Sequence, residues 1–124
     1  MHVMQLRSPW KIDRNDGSGL LRCELPDFSP SRADQVVYQR SFNRPTGLVP
    51  EQRLWLFIQE WMGLVVSLTV NGCAMDIGST ELSCQVEISR YLERHNVIEL
   101  RLAAVGDVQP RLVGPVELRI ESVT

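Results

Sequence analysis

Four stretches of this chain alternate apolar and polar residues with a period of two. From Leu82 to Ser89 the even positions are Leu82, Cys84, Val86 and Ile88, and the odd ones are Ser83, Gln85, Glu87 and Ser89. Leu64, Val66, Leu68 and Val70 alternate with Val65, Ser67, Thr69 and Asn71, while Ile98, Leu100 and Leu102 alternate with Glu99 and Arg101. Val116, Leu118 and Ile120 alternate with Glu117, Arg119 and Glu121. Successive strand side chains point to opposite faces, so each stretch reads as a half-buried strand with its first-named row inward. Further strands are expected over residues 20–25, 35–42 and 52–59. In the last of these Leu54, Leu56 and Ile58 oppose Trp55 and Phe57, so both faces are apolar and a central strand is expected.

Turn chemistry separates the runs: Asn15-Asp16-Gly17, Ser29-Pro30-Ser31, Arg44-Pro45-Thr46-Gly47, Asn71-Gly72, Gly106-Asp107 and Gly114-Pro115. Asn71-Gly72 reads as a tight hairpin whose two central residues need positive φ. One helical turn is expected at residues 89–94, with Ser89 as its cap and Leu92 plugging into the core. The stretch from Pro26 to Asp34 reads as a surface connection. Valine occurs 14 times against 4 alanines and 1 lysine, which suits strands better than long surface helices. Seven or more short strands at this spacing form an antiparallel β-sandwich or jelly roll, expected here as one domain over residues 1–124.

The balance of 13 basic and 15 acidic side chains leaves a net charge of −2, unlike the concentrated basic surface that nucleic-acid binding requires. The twelve arginines are interleaved with acids and read as surface ion pairs. With 44% apolar residues the chain can build one core without a metal or disulfide staple. Cys23, Cys73 and Cys84 show no metal-ligand spacing and read as reduced, packed thiols. No apolar run suggests a secretory signal or a membrane span, so a soluble cytoplasmic protein is expected, without cofactor, metal, nucleic-acid or membrane partner.

The order of the motifs is more specific than any one of them: VVYQRSF (36–42), RLWLFI (53–58), WMGLVVSLTVNG (61–72), VEISRYLERHNVIELRL (86–102) and GPVELRI (114–120). Together they resemble the sugar-binding jelly-roll domain of family 2 glycoside hydrolases, within the galactose-binding-domain-like superfamily. Arg40 and Phe42 match its first element, Gly63 a corner, and Asn71-Gly72 the hairpin. Glu87-Ile88-Ser89, Leu92 and Asn96 match later elements, and Gly114 opens the last strand. Glu87 and Ser89 stand where the family carries Asp and Thr. The resemblance covers residues 35–122 and implies a galactose-binding-domain-like sandwich. It also implies no catalysis, because the family's acid pair lies on a separate barrel.

A sugar site combines flat aromatic faces with groups that hydrogen-bond hydroxyls. Trp10 and Trp61 are the expected stacking platforms, with Arg44 and Glu60 beside them, whereas Trp55 reads as a core residue. Glu87, Glu99, Glu117 and Glu121 fall on the polar rows of strands and read as a solvated face rather than a catalytic pair. Arg40 is expected to fork onto backbone or an acid, Asn96 to bond the backbone of its turn, and His95 to be a solvated loop residue. The leading expectation is a non-catalytic carbohydrate-binding module. Its rival is a structural or protein-interaction domain of the same fold, using an edge strand to meet a partner or a second copy.

Overall fold

The computed structural model describes residues 2–7, 9–28, 33–77 and 83–122. Among them are twelve strands: β1 (His2–Gln5), β2 (Trp10–Asp13), β3 (Leu20–Cys23), β4 (Gln35–Asn43), β5 (Gln52–Ile58), β6 (Trp61–Met62), β7 (Leu64–Val70), β8 (Cys73–Ala74), β9 (Cys84–Glu87), β10 (His95–Ala103), β11 (Arg111–Leu112) and β12 (Val116–Ser122). They form a six-stranded sheet in the order β3-β2-β4-β10-β7-β8 and a four-stranded sheet in the order β1-β12-β5-β9, with β11 and β6 paired separately. All the pairings are antiparallel. The inward rows of the two sheets make one apolar cluster, in which Val36, Leu54, Leu56, Ile58, Ile98, Leu102 and Leu118 are fully buried. This is the expected β-sandwich, and β5 is the expected interior strand, between β12 and β9.

The phase of the alternation holds in β9, β10 and β12; Leu82 lies outside the described residues. In β7 it holds only in part, because the register against β10 steps from Arg101–Ser67 to Leu102–Val65. Val66 is therefore an extra residue, and such a bulge turns the row over. Leu68 and Val70 are buried, Val65 packs on the core, and Leu64 and Val66 face solvent at 49% and 46% exposure. The assignment of Leu64 and Val66 to the inward row is corrected accordingly.

The hairpin at Asn71-Gly72 has positive φ at both residues and joins β7 to β8. Asn71 does more than turn the chain. Its Nδ2 donates to the Tyr91 carbonyl and to Asn96 Oδ1, each at 2.9 Å, and its Oδ1 accepts from the Val97 amide. Asn96 in turn accepts from the Glu93 amide at 2.8 Å and donates to the Phe42 and Glu93 carbonyls, the backbone role expected of it. The helical turn is a short 3-10 segment, Ser89–Tyr91, with Ile88 at its cap position. Ser89 does not cap it: its hydroxyl accepts the Leu54 amide of β5 at 2.8 Å and so ties the turn to the small sheet. Leu92 packs against the core as expected.

Trp55 is not a core residue. Because Leu54, Leu56 and Ile58 face inward, the pleat turns Trp55 and Phe57 to the outer face of the small sheet, where both are half-buried. Arg119 lies over the Phe57 ring at 3.8 Å from its centroid and pairs with Glu117 at 2.8 Å, while Arg53 approaches Glu87 at 3.8 Å. Glu87 and Glu117 of this face thus serve ion pairs.

Candidate functional site

The four residues expected to bind a ligand do not converge. Trp10 is fully buried, and its indole N–H donates to the Leu6 carbonyl at 3.0 Å. Trp61 is 9% exposed and pairs with Leu112 across the β6–β11 ladder. Neither offers a stacking face to solvent, because large aromatics recover more free energy inside the core than over it. Arg44 follows Asn43 at one end of β4, whereas Glu60 precedes β6 at the other end, where Leu64 and Gln35 both pair with Ala103. Nine residues of strand separate those ends by roughly 26 Å. Glu60 is exposed, and its carbonyl accepts the Val113 and Gly114 amides.

Those amides belong to the wall of an open cleft of about 480 Å³, lined by Gln5, Arg7, Leu25, Pro26, Val113 and Pro115 among others. Trp10 holds this wall from behind through Leu6. Arg40 does so through its Nε, which donates to the Arg7 carbonyl at 2.9 Å, and it also donates to the Ser41 carbonyl, the backbone fork expected of it. Pro26 is shared with a second cleft of about 710 Å³, whose lining includes Arg14, Arg22, Glu24, Asp27 and Phe28. The two clefts share Pro26, in the segment that leaves β3.

The sequence predicts a surface connection here, and the described part of the segment is more than that. Asp27 is 3% exposed, and its amide donates to the Leu112 carbonyl at 3.2 Å. One carboxylate oxygen accepts the Tyr38 hydroxyl at 2.5 Å, and Arg14 Nη2 reaches both oxygens at 3.1 and 3.2 Å. A buried carboxylate needs such partners, and charge-assisted bonds are the strong ones. Burial, and then the bond to Asp27, push the Tyr38 phenol well above its ordinary pKa. Burial pushes the neighbouring Cys23 thiol up to about 11, and it raises Cys84 as well. Both are buried, packed thiols as expected, whereas Cys73, for which packing is also expected, is exposed beside the hairpin. Next to this fixed cluster Phe28 is 74% exposed, the most exposed large apolar side chain among the described residues.

The signal for the cluster was in β4. Val36, Tyr38, Arg40 and Phe42 share one row, and a phenol on an inward row must find an acceptor. Nothing in the sequence said that the acceptor would be Asp27. Among the described residues no group of three or more His, Cys, Asp or Glu could hold a metal ion. No helix among them is long and apolar enough to cross a membrane.

No family model matches the chain, and no curated protein matches it. Solved structures do. A glycosyl hydrolase family 2 member from Bacteroides cellulosilyticus superposes with a TM-score of 0.78 at 12% identity, covering 98% of this chain and 21% of that one. A β-glucuronidase from an uncultured Clostridium species gives 0.76 at 14% identity, over 98% of this chain and 29% of that one. The β-D-glucuronidase of Dictyoglomus thermophilum gives 0.74 at 16% identity, over 98% and 28%. The chain thus spans less than a third of the length of these structures, and it has the fold of a β-sandwich portion of family 2 glycosyl hydrolases. The resemblance read from the ordered motifs is upheld at the level of the fold.

Proposed function

We propose that this chain is a non-catalytic carbohydrate-binding β-sandwich module whose ligand lies in the cleft beside Phe28. The exposed Phe28 ring carries this reading. It stands in an open cleft with the Arg22 and Glu24 side chains and with Arg14, whose guanidinium is held in place by Asp27. An apolar ring face can cover the C–H face of a sugar, and a fixed guanidinium can donate to its hydroxyls. The similar structures that are glycosidases make a saccharide the ligand class to test. Hydrolysis would need two carboxylates flanking one bond. In this cleft Asp27 is committed to Tyr38 and Arg14, which leaves Glu24 without a second acid to work with.

Calorimetric titration with glucuronate, lactose and cellobiose at millimolar concentration tests the reading. Phe28→Ala is expected to weaken the best of these about tenfold, the worth of one lost stacking face. It should leave the melting temperature nearly unchanged, since so exposed a side chain contributes little to folding. Absence of heat with all three sugars, or equal affinity in the variant, would remove the proposal.

A specific observation also favours the interaction-domain reading. β3 is an outer strand of the six-stranded sheet, and its Leu20 and Leu21 are 49% and 46% exposed. Edge strands are usually guarded by charge, and an apolar one is a surface for strand pairing. If a second copy pairs there, sedimentation equilibrium should show a dimer that Leu21→Lys dissociates. A wild-type monomer at the highest attainable concentration would speak against this second reading.

A further inference from the structure

At the end of the sandwich away from both clefts, the β4–β10 ladder closes on two cations. Asn43 pairs with His95, so the same register places Arg44 opposite Arg94, and the Arg44 amide donates to the Arg94 carbonyl at 3.1 Å. Cross-strand neighbours have Cβ atoms about 5 Å apart, and like charges placed directly opposite repel. Among the described residues neither arginine takes part in an ion pair, although the chain as a whole is slightly acidic.

Both arginines line an open cleft of about 440 Å³ together with His95, Asn43, Thr46 and Leu48. No acid lines it. Glu93 borders the adjoining depression with Thr69 and Glu99. The imidazole is fixed, since Nδ1 lies 2.8 Å from Asn43 Oδ1. The amide oxygen accepts, so Nδ1 carries the proton of that bond.

We propose that Arg44 and Arg94 form a binding site for a tetrahedral oxyanion, a phosphate or sulfate group, with His95 on the cleft wall as its neighbour. Guanidinium forks match the oxygens of such a group in bidentate fashion. A bound anion would also offset the repulsion that the register builds in. The site is independent of the saccharide cleft and of the reading attached to it. Its source is a free anion or a sugar ester, which share the same chemistry.

Proton NMR gives a clean test, because His95 and His2 are the two histidines. Titrating the wild-type chain with inorganic phosphate at constant ionic strength, with chloride as the control, should move the His95 ring resonances saturably and leave those of His2 in place. Arg44→Ala and Arg94→Ala should each raise the half-saturating concentration about tenfold, the scale of one lost charge-assisted contact. Both positions are exposed, so neither variant threatens the fold. Phe28→Ala should bind phosphate like the wild type, which separates this site from the proposed saccharide cleft. A lower half-saturation for glucose 6-phosphate would identify a sugar ester as the source, and equal values a free anion. No movement of His95, or the same titration in both arginine variants, would overturn the assignment.

Discussion

Gly63→Ala is expected to destabilise the chain by about 2–5 kcal/mol, the sum of a backbone term and a steric one. Gly63 has φ +95°, a conformation in which an added Cβ is strained whatever the space around it. Here there is no space either. The Cβ would sit 2.5 Å from the Ala103 carbonyl oxygen and 3.2 Å from the Pro110 Cα. A side chain could swing away, but Ala103 is held by Gln35 on one side and Leu64 on the other. Relief would require breaking the ladder at the corner where the chain passes from β6 into β7. For a chain of this length the loss corresponds to roughly 10–20 °C in melting temperature. Gly114→Ala is the matched control. Its φ is +79°, but its nearest neighbour is the Leu25 side chain at 3.4 Å, so it carries the backbone term with little clash. Thermal unfolding of both variants tests the argument. Equal losses would mean that the approach to Ala103 does not matter.

The same corner shows what could be read in advance. The resemblance to the family places Gly63 at a corner, and the strands around it follow from the period-two rows. A period fixes a face only while the ladder is regular, and the bulge at Val66 is set by pairing with β10, a contact distant in sequence. Apolar character likewise does not say which side of a sheet is covered. Trp55 and Phe57 look like Leu54 and Leu56 to any count of hydrophobic residues, yet the pleat sends them to the outer face, where Arg119 covers the Phe57 ring. The site was less legible for a related reason. The capacity of tryptophan to stack is legible in sequence, but Trp10 and Trp61 are worth more inside, and Arg44 and Glu60 are separated by the length of β4. Phe28 and Asp27 lie in a segment without periodicity, where burial depends on what the chain folds against.

The second large effect is expected at Asp27. Asp27→Ala removes the acceptor of a fully buried phenol and the counter-charge of a mostly buried guanidinium, Arg14 being 15% exposed. Breaking a buried ion pair from one side costs about 3–5 kcal/mol, because the partner is left desolvated. Tyr38→Phe should cost less, about 1–2 kcal/mol, since the carboxylate keeps Arg14 and a phenyl ring fills nearly the same space. Asp27→Asn keeps a carbonyl oxygen for one of the two donors and should fall between them. Chemical denaturation of the three variants and of the Asp27→Ala/Tyr38→Phe double variant measures the coupling, expected at about 1–3 kcal/mol for residues in direct contact. The pH dependence has a definite sign. The Tyr38 pKa is raised by folding, so its contribution is present below the phenol's unfolded value and is lost only as the pH rises toward the folded value. Tyr38→Phe should therefore narrow its gap to the wild type under strongly alkaline conditions and show its full deficit at neutral pH. Additive single effects, or a Tyr38→Phe loss larger than that of Asp27→Ala, would show that the carboxylate is not what holds the β3–β4 connection against the sandwich. In that case the orientation of Arg14 beside Phe28 would need another cause.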